Sequence, residues 1–153
     1  MVLQAGVTAP AFTTTDQNGN KVSLKDYKGQ KVALYFYPQD STPTCTVEAC
    51  NLRDNFAALQ EKGVIVLGIS PDDAKSHKKF ELKHTLQFPL LVDTDKKIIE
   101  SYGVWAEKSM YGRKYMGVLR TTFLINEKGK IVHVIEKVKS KEHAQQIIEV
   151  WGL

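Results

Sequence analysis

The fold of this chain is decided by residues 31–50, which read KVALYFYPQDSTPTCTVEAC. The six residues after Lys31 are apolar or aromatic, which is typical of a strand buried on both faces. A short loop follows, and from Cys45 onward apolar side chains recur at helical spacing until Gly63, a natural helix stop. That stripe consists of Leu52, Phe56 and Leu59. The stretch therefore predicts a strand that leads directly into a helix.

Further elements are predicted on the carboxyl side of this unit. Apolar runs indicate strands at residues 64–69, 90–92, 121–126 and 130–135, in addition to 31–37. A second helix is predicted from a cap at Ser70 to about His84, with Pro71 at its first position and Asp73 in place for a capping box. A third helix follows Ser140. Its apolar face consists of Ala144, Ile147, Ile148 and Trp151.

Turn residues at 16–19 and 126–129 place one hairpin near the amino terminus and another before the last helix. Strands that alternate with helices are typical of α/β proteins, because parallel strands need crossover connections. We therefore predict one domain over residues 1–153 with a thioredoxin-like fold. It has a central mixed sheet flanked by helices and an N-terminal hairpin extension.

Composition narrows the classes of function. The chain is 42% hydrophobic and 25% charged, and its net charge of +4 comes from scattered lysines, which argues against a nucleic-acid surface. No segment is typical of a membrane span or a signal peptide, so we expect a cytoplasmic protein with no membrane partner. Structural disulfides are rare there, and the two cysteines indicate catalysis, redox sensing or metal binding.

Cys45 is the candidate nucleophile. At the start of a helix its sulfur lies near unpaired backbone N–H groups and the positive end of the helix dipole, both of which favour the reactive thiolate. A buried cysteine is more often a small apolar side chain. The stiff loop before Cys45, with Pro38, Thr42 and Pro43, favours the catalytic interpretation, although Thr42 alone suits a turn or a helix cap equally well.

Cys50 lies five residues after Cys45, which is not the two-residue spacing of thioredoxin-type redox pairs. In a helix, Cα atoms five residues apart are separated by roughly 8 to 9 Å and point about 140° apart. A disulfide needs less than about 7 Å. If the two cysteines bond, the first turns of this helix must unwind.

Metal and cofactor sites are not predicted. The four histidines, at positions 77, 84, 133 and 143, form no closely spaced ligand pair with each other or with the cysteines. No glycine-rich phosphate loop or serine-centred catalytic elbow is present either.

The pattern Pro38-x-x-x-Thr42-x-x-Cys45-Thr46-x-Glu48-x-Cys50 resembles the active-site signature of peroxiredoxins. The similarity is strongest to the bacterioferritin-comigratory or Q subfamily, and residues 111–125 are also similar to that family. The resemblance implies that Cys45 attacks the peroxide and becomes a sulfenic acid, which Cys50 resolves as a disulfide. It also implies a hydroperoxide substrate, a thioredoxin or similar thiol reductant, and a monomer.

The resemblance assigns three supporting residues as well. Thr42 would hydrogen-bond the thiolate and the peroxide, Pro38 would shield the site, and Arg120 would stabilise negative charge. Without the family pattern, Arg53 and Arg113 would be equal candidates with Arg120.

Glu48 raises a physical problem, because a free carboxylate one turn after Cys45 would disfavour the thiolate. We expect it to pair with an arginine, and an exposed acid at the helix start is the alternative. The family often has glycine where this chain has Thr44, a difference that predicts slower unwinding here.

Two other functions fit the same cysteines. One is a thiol-disulfide exchange protein, although the spacing of Cys45 and Cys50 argues against it. The other is a redox sensor whose Cys45–Cys50 bond changes a surface that a partner recognises.

Overall fold

The computed structural model describes residues 1–153. Its strands are β1 (Thr13–Thr15), β2 (Lys21–Ser23), β3 (Lys31–Phe36), β4 (Val64–Ser70), β5 (Leu90–Val92), β6 (Trp105–Met110), β7 (Arg113–Val118), β8 (Thr121–Ile125) and β9 (Ile131–Ile135). Its α-helices are α1 (Pro43–Asp54), α2 (Phe56–Glu61), α3 (Ala74–His84), α4 (Lys97–Ser101) and α5 (His143–Trp151). Two 3-10 turns, Leu24–Tyr27 and Ser140–Glu142, precede β3 and α5.

The central sheet has the strand order β5-β4-β3-β8-β9. Strands β3, β4 and β5 are parallel, whereas β8 runs antiparallel to both β3 and β9. The predicted mixed sheet is therefore confirmed. The pair β1–β2 forms the expected N-terminal hairpin, closed by a turn at Asp16–Gly19.

Strand β3 lies at the centre of the sheet, and its side chains alternate between two apolar cores. Val32, Leu34 and Phe36 enter the core that also contains Ile98, Ile99 and Tyr102, near α4. Ala33, Tyr35 and Tyr37 enter the core that also contains Cys45, Leu52, Leu59, Phe80 and Ile147, from α1, α2, α3 and α5. Both faces of β3 are covered, which explains its continuous apolar sequence.

The predicted strands agree with the structure to within one residue at each end. The first helix differs from the prediction, because Asn55 divides it into α1 and α2. The Asn55 side chain donates to the carbonyl of Asn51 at 2.8 Å. Asparagine side chains compete in this way with helical backbone bonds, which accounts for the break. Gly63 ends the second segment with φ +75°, as expected for a helix stop.

The predicted cap of the second helix is wrong. Ser70 ends strand β4, and the N-cap of α3 is Asp73, whose carboxylate accepts the backbone N–H of Ser76 at 2.8 Å. The helix therefore starts three residues later than predicted. None of the helices is both long and apolar enough to cross a bilayer.

Helix α4 and the hairpin β6–β7 were not predicted from the sequence. Helix α4 has five residues, which is too short for a helical periodicity to be visible. The hairpin carries partly exposed side chains on both faces, so it lacks the alternation of a strand that covers a core. This missed hairpin forms one side of the candidate site.

The corrected cap gives a stability prediction. We expect Asp73→Ala to lower the free energy of unfolding by about 1 kcal/mol, because it removes the acceptor for the N–H of Ser76. Urea denaturation would measure the change. Lys75→Ala, an exposed position in the same turn, is the matched control and should change stability by less than about 0.5 kcal/mol. Equal effects of the two substitutions would contradict the assignment of the cap.

Candidate active site

Cys45 lies in the first turn of α1, directly after the loop that leaves β3. Thr42 is the N-cap residue and Pro43 the first helical residue, so Cys45 occupies the third helical position. The N–H groups of this turn have no partner within the helix, and together with the helix dipole they favour a thiolate. Cys45 is only 2% exposed. The sulfur therefore sits in an electropositive environment with limited access to water.

Arg120 connects Cys45 to Glu48. It lies between β7 and β8, and its Nη2 atom donates to Cys45 Sγ at 3.2 Å while Nη1 donates to Glu48 Oε1 at 2.6 Å. The structure thus places at Cys45 the arginine that the family resemblance implies, whereas without that resemblance Arg53 and Arg113 would be equal candidates. Arg53 pairs with Asp54 on the surface of α1, and Arg113 is exposed on β7.

Glu48 is fully buried, so it is not the exposed acid that the sequence left as an alternative. Burial raises the pKa of its carboxyl from 4.5 to about 7, and the charge and hydrogen bond of Arg120 act in the opposite direction. Glu48 forms an ion pair with Arg120, which is the arginine partner expected from the sequence. Its second oxygen, Oε2, has no hydrogen-bond partner, and neither does the buried hydroxyl of Tyr35.

His143 lies behind Glu48, at 3.6 Å from Nε2 to Glu48 Oε2. Burial lowers its pKa from 6.5 to about 4, so the ring is neutral at neutral pH. Its Nδ1 faces the amide oxygen of Gln146 at 3.0 Å and Nε2 faces the hydroxyl of Thr122 at 2.7 Å. An amide oxygen only accepts, so Nδ1 carries the hydrogen. Arg120 is therefore the one cation bonded to Glu48.

Pro38 and Thr42 lie at the cleft that leads to Cys45, as the family resemblance implies. The hydroxyl of Thr42 donates to the carbonyl of Gln39 at 2.9 Å, so in this conformation it is not directed at the sulfur. The cleft has a volume of about 530 Å³. Its other wall belongs to the hairpin β6–β7 and includes Trp105, Lys108, Met110, Tyr115 and Met116.

The loop before Thr42 is held by Asp40, a residue that no sequence motif singled out. Asp40 Oδ1 accepts from the hydroxyl of Tyr37 at 2.6 Å, and Oδ2 accepts from Ser76 at 2.9 Å and lies 2.7 Å from His77 Nδ1. Its own N–H donates to Asp72 at 2.8 Å. The carboxylates of Asp40 and Asp72 and the imidazole of His77 lie close enough together to bind a metal ion, but the carboxylate oxygens already accept hydrogen bonds from protein donors. The cluster anchors the loop to α3.

Both cysteines have free thiols. Cys50 lies on α1 with Cys45, but on a different face of the helix, and it is partly exposed. Its sulfur is 3.8 Å from Nδ1 of His84, the last residue of α3. The structure thus brings Cys45, Glu48 and Arg120 together and leaves Cys50 outside that cluster.

Comparison with known proteins agrees with this geometry. Residues 5–134 match the AhpC/TSA family. The peroxiredoxin Bcp of Escherichia coli is 47% identical over 146 residues, which cover 95% of this chain and 94% of that protein. The peroxiredoxin Bcp of Bacillus subtilis is 42% identical over 149 residues, which cover 97% of this chain and 95% of that protein.

Solved structures show the same fold. The bacterioferritin comigratory protein of Xanthomonas campestris superimposes with a TM-score of 0.89 at 32% identity, and 97% of each chain is covered. A cysteine variant of Xylella fastidiosa PrxQ superimposes with a TM-score of 0.91 at 29% identity, covering 99% of this chain and 96% of that one. The chain belongs to the AhpC/TSA family, and within it to the Bcp or PrxQ peroxiredoxins, which are thiol peroxidases with a thioredoxin-like fold.

The environment of Glu48 predicts a pH effect on stability. Its pKa is raised to about 7 in the folded protein, which therefore binds this proton more tightly than the unfolded chain does. The contribution of Glu48 to the free energy of unfolding consequently falls as the pH rises from about 4.5 to about 7. Glu48→Gln keeps an oxygen for Arg120 but cannot ionise. We therefore expect the free energy of unfolding of the variant, relative to that of the wild type, to rise across this window by on the order of 3 kcal/mol.

Urea denaturation at a series of pH values would measure this difference. Measurements on the wild type alone do not isolate the effect of Glu48. The pKa of His143 is lowered to about 4, so the contribution of His143 to the free energy of unfolding rises with pH in an overlapping window. Glu107→Gln, on the surface of β6, is the control and should not reproduce the trend. A constant difference between wild type and Glu48→Gln at every pH would contradict the prediction.

Proposed function

We propose that this protein reduces hydrogen peroxide and organic hydroperoxides with Cys45 as the peroxidatic nucleophile and Cys50 as the resolving thiol. Its family, whose members are thiol peroxidases, supports the reaction class. The single observation that carries the residue assignment is the hydrogen bond from Arg120 to Cys45 Sγ at the start of α1. A guanidinium and a helix amino terminus on one sulfur are what a thiolate nucleophile requires.

In the first step, Cys45 thiolate attacks the terminal peroxide oxygen. The S–O bond forms as the O–O bond breaks, so the sulfur becomes a sulfenic acid and the departing oxygen takes up a proton as water or an alcohol. Negative charge moves from sulfur to the departing oxygen. Arg120 can stabilise negative charge both on the sulfur and on the departing oxygen, because its guanidinium stays positively charged throughout.

Thr42 and Pro38 complete the site in this proposal. Rotation of the Thr42 hydroxyl away from Gln39 would direct its hydrogen toward the thiolate or the peroxide. Pro38 lines the cleft without offering an N–H group that would bind water. The apolar side chains of the hairpin wall, such as Met110 and Met116, suit an organic hydroperoxide. The study of the similar Xanthomonas protein concerns alkyl peroxide reduction, which supports this substrate class.

In the second step, the thiolate of Cys50 attacks the sulfenic sulfur of Cys45. Both residues lie within the uninterrupted helix α1, where Cα atoms five residues apart are about 8 to 9 Å from each other. That exceeds the reach of a disulfide, so the beginning of α1 must unwind before the bond forms. Thioredoxin or a similar dithiol then reduces the disulfide. One chain supplies both sulfurs, which is consistent with a monomer.

Peroxide consumption with thioredoxin as the reductant tests this scheme. We expect Cys45→Ser to abolish turnover, because no other thiol lies at the cleft. Cys50→Ser should consume one equivalent of peroxide and then stop. A thiol-disulfide exchange protein would instead reduce a model disulfide without consuming peroxide, and undiminished turnover of Cys50→Ser would remove Cys50 from the scheme.

The position before Cys45 predicts the rate of the second step. Thr44 is helical and does not adopt a positive φ, so the folded site does not require glycine there. Glycine costs a helix a few tenths of a kcal/mol relative to threonine, and it should favour the unwound state. We expect Thr44→Gly to form the disulfide about twice as fast in stopped-flow oxidation. Lys62→Gly, beyond the segment that unwinds, is the control, and equal rates for wild type and Thr44→Gly would contradict the prediction.

A further inference from the structure

Cys50 has a histidine partner on the neighbouring helix. Its Sγ atom lies 3.8 Å from Nδ1 of His84, which is within hydrogen-bonding distance for sulfur. The imidazole ring is held by an edge contact with Phe80 at 5.3 Å between ring centroids. The backbone carbonyl of His84 accepts from Arg53 Nη1 at 2.8 Å, which joins α3 to α1 beside the cysteine. The contact is thus supported on two sides.

We propose that His84 is the base that removes the thiol proton of Cys50, and that it is therefore a catalytic residue of disulfide formation. The inference rests on the proposed function, in which Cys50 resolves the sulfenic acid. A thiol must lose its proton before it becomes a competent nucleophile, and in the folded helix the tautomer of His84 that carries its hydrogen on Nε2 presents Nδ1 to Cys50 as an acceptor.

The charges around His84 suit this role. Burial lowers its pKa, and the positive charges of Lys83 and Arg53 lower it further, so the ring is neutral at neutral pH and has a free lone pair. Arg53 lies three residues after Cys50 on α1, close enough for its charge to interact with Cys50, and its Nε binds the carboxylate of Asp54 at 3.0 Å. After proton transfer, the thiolate would be flanked by the imidazolium of His84 and the guanidinium of Arg53.

The order of events follows from the position of the contact. It exists while α1 is helical, whereas attack on Cys45 requires α1 to unwind, so proton transfer precedes unwinding. Cys50 thiolate then attacks the Cys45 sulfenic sulfur, the S–S bond forms, and the S–O bond breaks. The departing hydroxide takes a proton from solvent, and His84 returns its proton to solvent. The sum is one thiol and one sulfenic acid converted to a disulfide and water, with Cys50 oxidised and Cys45 reduced.

Alkylation of Cys50 tests the inference without relying on peroxidase activity. The chain has two cysteines, so Cys45→Ser leaves Cys50 as the sole thiol. Iodoacetamide reacts with the thiolate, and we expect His84→Gln in this background to slow alkylation at neutral pH by roughly three- to tenfold. His133→Gln, on edge strand β9, controls for the loss of a histidine. An unchanged alkylation rate in the His84 variant would overturn the proposal.

Rapid-mixing oxidation of the chain with both cysteines gives the second measurement. His84→Gln should leave the peroxide-dependent first phase unchanged and slow the formation of the disulfide by a similar factor. Faster disulfide formation would show that the contact restrains the helix instead, and would also overturn the proposal. Failure of the proposed function is distinguishable, because Cys50→Ser would then turn over normally whatever the alkylation rate. Circular dichroism of each variant would show that the fold is retained.

Discussion

The guanidinium of Arg120 is shared between the sulfur of Cys45 and the carboxylate of Glu48, and the site depends on this sharing. A buried carboxylate one helical turn after the nucleophile would by itself oppose the thiolate. Arg120 offsets that charge and supplies a hydrogen bond to the sulfur. Burial of Glu48 strengthens the pair, because attraction between charges is larger away from water, but it also raises the pKa of the acid to about 7. The negative charge beside Cys45 therefore varies near neutral pH.

Helix α1 has two roles that conflict. In the proposed reaction its amino terminus activates Cys45, whereas its regular geometry keeps Cys50 away from Cys45. Anchors lie on both sides of the segment that carries the cysteines. Asp40 holds the preceding loop to α3, and Asn51 accepts from the N–H of Ala144 at 2.7 Å, which fixes the following turn to α5. In the proposed reaction, residues 42–50 between these two anchors are the stretch that would unwind.

The sequence predicted the elements around the site because local rules govern them. Apolar runs identified the strands of the central sheet, and the position of Cys45 after a buried strand placed it at a helix start. The cap at Ser70 was wrong because Ser70 and Asp73 are both good capping residues, and the length of β4 decides between them. The hairpin β6–β7 was missed because its pattern reflects a partly exposed cleft wall rather than a core.

By itself, the sequence determined the five strands of the central sheet, the helical position of Cys45, and that a Cys45–Cys50 disulfide would require α1 to unwind, since each follows from spacing along the chain. The tertiary structure alone decided that Arg120 bonds both Cys45 and Glu48, that Glu48 is buried, that Asp40 anchors the loop and that His84 meets Cys50. Arg120 is 75 residues from Cys45, and His84 is 34 from Cys50. Contacts over such separations depend on how the strands are ordered and how the helices pack on them, which local spacing does not encode.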